Sequence, residues 1–248
     1  MWSFFSRNAK SSKNKPVLST LTYAVGDIHG RLDLLERLLD LIQIDRNGRD
    51  AEIVFLGDYI DRGADSAGVV EALATRKGME GLNPIFLKGN HEATLIEFLK
   101  SGQGGPAWAK FGGLEALASY GVRPPKKRTN RAQWSEAHAQ LQKAIPEHHL
   151  EFLEKLELTA RRGPYLFVHA GIDPNRPISE QGEAEFLWIR KAFLTSSKRL
   201  EAIVVHGHSV TGKPKRSKYR IGVDTGAYMS GHLTAVKLLD DRVDFIAT

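Results

Sequence analysis

Cysteine is absent from all 248 residues. Its absence excludes disulfides and thiolate metal sites, and fits a reducing compartment such as the cytosol. No apolar run reaches 18 residues, so no transmembrane helix is expected. The opening Met1-Trp2-Ser3-Phe4-Phe5 is too short for a signal-peptide core and lacks a small-residue cleavage site. A cytoplasmic location follows as the expectation. Aromatic residues are scarce, at 8%. Tyr219 alone interleaves with the third basic run, which speaks against specific nucleic-acid binding.

Acidic residues are missing from three segments. Residues 1–20, 123–131 and 211–220 hold 14 of the 35 basic residues and no acid, leaving 21 bases against 29 acids elsewhere. The net charge of +6 is therefore local, and the body of the chain is acidic. Lys213, Lys215, Arg216, Lys218 and Arg220 follow directly after His208, where they could steer an anionic substrate. Residues 1–20 read as a flexible basic tail. With 42% hydrophobic and 26% charged residues, the remainder has the balance of a globular domain with a sizeable core.

Strand-like and helical patterns alternate. Apolar runs at 21–25, 53–56 and 85–87 read as buried strands. Helical stripes follow at 31–44, 66–76 and from 90 to about 99. This repetition indicates an α/β layered fold. Residues 101–160 differ: they read as a helical insertion, with helices at 108–120, 133–144 and 148–156, forming a cap. Strands are expected again at 165–168, 203–205, 219–223, 233–239 and 243–246, with a helix at 186–194.

Five polar clusters each sit just after an apolar run. They are Gly26-Asp27-Ile28-His29-Gly30, Gly57-Asp58-Tyr59-Ile60-Asp61-Arg62-Gly63, Gly89-Asn90-His91-Glu92, His169-Ala170-Gly171 and Gly207-His208. Ligands of open α/β sheets bind beyond the carboxyl ends of strands, so the five clusters can converge. The donors are oxygen and imidazole nitrogen. They suit manganese, iron, zinc or nickel better than calcium or magnesium alone. The set is too large for one ion, and two adjacent ions point to phosphate ester chemistry. Arginine's planar fork meets phosphoryl oxygens in a bidentate way. Asp224, Glu92 and His206 read as structural or supporting residues, and His138, His148, His149 and His232 show no ligand spacing.

The order GDxHG, GDxxDRG, GNHE, HAG and GHS resembles the PPP family of calcineurin-like metallophosphoesterases, in its bacterial and lambda-phage serine/threonine phosphatase form. The resemblance runs from about Tyr23 to Lys237. It implies a four-layer α/β/β/α sandwich with a central β-sandwich. It further implies that Asp27 and His29 hold one metal, that Asn90, His169 and His208 hold another, and that Asp58 bridges them. Manganese is the ion expected first. Arg62 and Arg190 would bind the phosphate, His91 would protonate the leaving group, and Asp61 would orient His91. The implied activity is hydrolysis of phosphoserine or phosphothreonine, with phosphotyrosine within its range, by a metal-activated hydroxide. The partner is then a phosphorylated protein or peptide, or a small phosphate ester. A symmetrical dinucleoside tetraphosphate hydrolase shares the motif order and is the alternative. Leu187-Trp188-Ile189-Arg190 favours the phosphatase branch. Val210 stands where phosphodiesterases carry a second histidine.

Overall fold

The computed structural model describes residues 17–248. Of the expected basic tail, residues 1–16 lie outside that range. Leu18 to Thr20 already belong to the first strand. That strand, β1 (Leu18–Val25), is followed by α1 (Leu32–Arg46), β2 (Ala51–Phe55), α2 (Ser66–Ala74), β3 (Leu82–Phe86) and α3 (Asn90–Ser101). The helical insertion carries α4 (Gly105–Trp108), α5 (Gly113–Ser119), α6 (Arg131–Ala144) and α7 (Glu147–Glu154). Next come β4 (Thr159–Arg162), β5 (Tyr165–Val168), α8 (Glu183–Trp188), α9 (Lys191–Leu194) and β6 (Ile203–His206). The chain closes with β7 (Lys215–Arg216), β8 (Arg220–Gly222), α10 (Ala227–Ser230), β9 (Thr234–Asp240) and β10 (Arg242–Ala247).

Among the described residues two five-stranded sheets form, in the orders β10-β9-β1-β2-β3 and β4-β5-β6-β8-β7. Side chains alternate across a strand, and here the alternation feeds two layers. Val54, Leu56, Tyr165, Phe167, Val205 and Val236 point between the sheets and share one core. Ile53 and Phe55 face the other way, into a core with α1, α2 and the insertion helices. Leu166, Val168 and Val204 back onto Phe186 and Phe193 of α8 and α9. The result is the expected four-layer α/β/β/α sandwich.

Strands β1, β2 and β3 run parallel, as do β5, β6 and β8. Five of them, β1, β2, β3, β5 and β6, deliver their carboxyl ends to the turns that carry the five polar clusters, and β8 delivers its own to the turn of Asp224. Four expectations shift. The helix expected over 108–120 is broken: Trp108 ends α4, and Gly112, at φ 100°, separates a short turn from α5. Strand β4 ends the insertion near residue 158, and its Thr-Ala-Arg-Arg sequence shows only Ala160 to the core. The basic run at 211–220 contributes an edge strand, β7. The helix expected over 186–194 breaks at Ile189 and Arg190, where Arg190 adopts φ −132° and ψ −90°.

Candidate active site

Three of the six candidate ligands, and the two residues Asp61 and Arg62 beside them, sit on turns of unusual backbone. His29, Asp58, Asp61, Arg62 and His208 all have positive φ, between 49° and 73°. Non-glycine residues seldom adopt that region, and such strain gathers at functional sites. The neighbouring glycines serve close approach more than backbone freedom. A Cβ on Gly207 would lie 2.1 Å from an Asp27 carboxylate oxygen, and one on Gly89 would lie 2.2 Å from Oδ1 of Asp58.

Glu92 ties two of these turns together. Its buried carboxylate accepts from the backbone N–H groups of Asp58 and Tyr59 at 2.8 Å, Gly89 at 2.9 Å and Ile60 at 3.3 Å. Burial and the nearby charge of Asp58 push Glu92 up to about 7, against the pull of those donors. It is a supporting residue, and it fixes the backbone on both sides of Asp58.

At the centre, His29 gives its Nδ1 to the carbonyl of Ile60 at 2.8 Å, and His169 gives its Nδ1 to that of Leu56 at 2.8 Å. With the proton fixed on Nδ1, each Nε2 presents a bare lone pair. His29 Nε2 faces Oδ2 of Asp58 at 3.6 Å, and His169 Nε2 faces Oδ1 of the same carboxylate at 3.4 Å. His169 Nε2 also meets Oδ1 of Asn90 at 2.9 Å and Nδ1 of His208 at 3.1 Å. Acceptors aimed at acceptors are unfavourable unless cations lie between them. The residues therefore fit two divalent ions, one on each side of Asp58.

Electrostatics agree. Burial pushes His29 down to about 3, and burial with the neighbouring His169 does the same to His208. Both are thus neutral and ready to ligate at ordinary pH. Burial alone would raise Asp58, but His169, His91, His29 and His208 around it hold it below the usual carboxylate range. Asp27 accepts from the His208 N–H at 3.0 and 3.1 Å. Burial, and then the charges of Asp224 and Asp58, raise it well above the ordinary value. Asp224, read from sequence as a loop residue, is buried in this same crowd. It is pushed up to about 6 by burial, and its Oδ2 has no partner among the described residues.

His91 differs from the other histidines. Its Nδ1 lies 2.5 Å from Oδ2 of Asp61, and its Nε2 points toward Arg62 at 3.4 Å and Asp58 at 3.8 Å. Burial would lower it, yet Asp58 and Asp61 together raise it. The buried Asp61 is held in turn by the Trp108 indole N–H at 2.8 Å. Arg62 is anchored through its backbone N–H to the carbonyl of Gly112 at 3.1 Å, and its guanidinium lies 4.5 Å over the Tyr228 ring. That ring stands edge-on to His29 at 5.4 Å. Arg190 is exposed at the α8–α9 break, near enough for its charge to depress His169 and His208.

Nine of the ten residues singled out from sequence are thus linked by contacts in one place, and the exposed Arg190 reaches them through its charge. Sequence reasoning missed Trp108 and Tyr228. Trp108 lay in an insertion read only as a cap. Tyr228 follows Asp224-Thr225-Gly226, the one signal that could have found it. His206 is structural: its ring packs on Phe193 at 5.0 Å, away from the ligand cluster. The basic run borders a cavity of about 510 Å³ beside the His208 turn, lined by Ser209, Thr211, Lys215 and Arg216 among others. Arg220 is committed to the carbonyls of Phe193 and Ser196.

Two kinds of named enzyme appear among the known proteins of similar sequence. Bis(5'-nucleosyl)-tetraphosphatase PrpE [asymmetrical] of Oceanobacillus iheyensis is 26% identical, covering 90% of this chain and 91% of its own length. Serine/threonine-protein phosphatase 2 of Escherichia coli is also 26% identical, covering 87% of this chain and 92% of its own. The cold-active protein-tyrosine phosphatase of a Shewanella species shares the fold. Its TM-score is 0.61 at 17% identity, covering 92% of this chain and 80% of its own. Residues 21–247 match the family model described as calcineurin-like phosphoesterase. With the match spanning both sheets and all five clusters, the chain belongs to the calcineurin-like phosphoesterases.

Proposed function

We propose that the chain is a metal-dependent phosphoprotein phosphatase acting on phosphoserine and phosphothreonine monoesters. The observation that carries this reading is the central carboxylate. Asp58 has one oxygen toward His29 and the other toward His169, with both imidazoles fixed by backbone carbonyls. Asp27 and His29 would hold one ion, and Asn90, His169 and His208 the other, with Asp58 between. Manganese is the favoured ion, with iron, zinc and nickel as alternatives. When bound, the ion pair supplies an acidified water and polarises the phosphoryl oxygens.

The chain's own residues supply the rest. Arg62 and Arg190 present guanidinium groups to the charge of a terminal phosphate. Stacking on Tyr228 keeps the Arg62 fork in place. His91, kept protonated by Asp58 and Asp61, delivers a proton from Nε2 to the departing alkoxide. Asp61 and Trp108 fix the orientation of that ring.

A second reading, dinucleoside tetraphosphate hydrolysis, draws support from the PrpE relative, which is as similar as the phosphatase and nearly as co-extensive, although its name specifies asymmetrical cleavage where the motif order suggested symmetrical. A side-by-side comparison of kcat/KM on phosphopeptides and on a dinucleoside tetraphosphate, with manganese added, tests the choice. The proposal expects the phosphopeptides to be preferred. Preference for the nucleotide would transfer the same site to the second reading.

A further inference from the structure

Glu71, His148 and His149 bring metal-binding donors together a second time, outside the turns of the active site. Glu71 lies on α2, and the two histidines lie in the first turn of α7. Nε2 of His148 stands 2.6 Å from Oε2 of Glu71, and Nε2 of His149 stands 2.8 Å from the same oxygen. The two rings meet edge to face at 4.6 Å. His149 is buried, and its Nδ1 lies 3.0 Å from the Tyr120 hydroxyl, which can accept the Nδ1 proton and leave Nε2 bare. That is the second-sphere contact a ligating histidine ordinarily has. In sequence the pair looked ordinary, because its acid lies 77 residues upstream.

We propose that Glu71, His148 and His149 form a separate site for a divalent transition-metal ion of the zinc type, clasping the helical insertion to α2. The donor set of two imidazoles and one carboxylate suits zinc, nickel or copper, and not magnesium or calcium. Bonds of about 2.0–2.1 Å in a tetrahedron place donors roughly 3.3 Å apart, so the cluster must open by about 0.5–0.7 Å to admit zinc. The side chains of His148 and Glu71 are 54% and 50% exposed and can swing outward, while His149 stays anchored by Tyr120. The exposed side leaves room for a water as the fourth ligand. Helix α2 opens at Ser66, whose hydroxyl accepts the Asp61 N–H at 2.9 Å. The clasp would therefore join the insertion that carries Trp108 to the helix next to the Asp61–Arg62 turn.

Zinc content and zinc-dependent stability of the full chain test the proposal. Wild type, His148→Ala and Glu71→Gln would each be saturated with zinc, dialysed, and measured by atomic emission. Wild type should retain one zinc per chain more than either variant. Added zinc should also raise the unfolding midpoint of wild type more than theirs. Aryl-phosphatase activity with manganese should be unchanged in both variants, because none of the three residues touches the active site. Equal zinc content in all three proteins, or equal zinc-dependent stabilisation, would overturn the clasp and leave a hydrogen-bonded trio. Circular dichroism verifies that the variants are folded, as expected for half-exposed positions.

Discussion

His29 and His91 stand edge to face with ring centroids 4.6 Å apart, yet their surroundings prepare them for opposite work. His29 has a carbonyl on Nδ1 and is pushed down to about 3, mainly by burial. It is a neutral donor. His91 has a carboxylate on Nδ1, and Asp58 with Asp61 raises it against the effect of burial. It keeps its proton where His29 cannot, so the pair divides into a ligand and an acid. Changing His91 to Asn should slow turnover about 10²–10⁴-fold, the usual size of a general-acid contribution. Metal content should be unchanged; if it fell by one ion per chain, His91 would be a ligand. Asp61→Asn tests the cause of the raised value. Activity requiring protonated His91 falls as pH rises through its pKa. Removing the Asp61 charge should therefore move the alkaline limb of the pH–rate profile to lower pH, and an unmoved limb would separate Asp61 from the acid.

Among the elements, the strand ends were the legible part of the sequence. An apolar run that stops at Gly-Asp or Gly-Asn announces a buried strand and a ligand turn at once, and Asp27, Asp58 and Asn90 are found there. What sequence could not show was how the turns support one another. Glu92 looked like packing because its four backbone partners come from two turns that meet only after β2 and β3 have paired in parallel. Arg190 matched a motif, but the helix break that exposes it involves neither glycine nor proline. Glu92→Gln replaces one accepting oxygen with an N–H₂ group that faces backbone donors. It should cost about 1.5–3 kcal/mol in denaturant unfolding and weaken metal retention, although both Glu92 oxygens are engaged by backbone N–H groups. Full stability in that variant would mean that the Asp58 turn holds itself. Trp108→Phe takes the indole N–H away from Asp61 and keeps an aromatic ring in the buried site, at the cost of a smaller side chain. It should reduce kcat about tenfold or more with KM little changed, and an unaltered kcat would return the insertion to a purely structural cap.

Over the whole molecule, the two sheets share one core and one rim, and the rim is where buried titratable groups gather. Asp27 and Asp224 are pushed up and His29 and His208 pushed down, so their effects on stability oppose one another over the same pH range. His206, at the end of β6, lies apart from that balance. Burial pushes it down to about 4, and its ring is fixed by Phe193 and by Nδ1 at 3.1 Å from the Gly207 carbonyl. Its value in the unfolded chain is about 6.5. Below that pH the unfolded chain binds a proton that the folded chain refuses, so stability rises with pH across this interval. The contribution of His206 is complete above about pH 6.5 and is lost as pH falls toward 4. A difference of about 2.5 units corresponds to roughly 3 kcal/mol as an upper bound. His206→Phe keeps a ring against Phe193 and has no proton to gain. Unfolding followed with denaturant in the presence of chelator should therefore show wild type losing more stability than the variant between pH 6.5 and 4, by up to that amount. At pH 8 the two should differ only by the loss of the Gly207 contact. Parallel pH dependences would show that His206 takes up its proton inside the folded core, and that acid sensitivity resides wholly in the site at the rim.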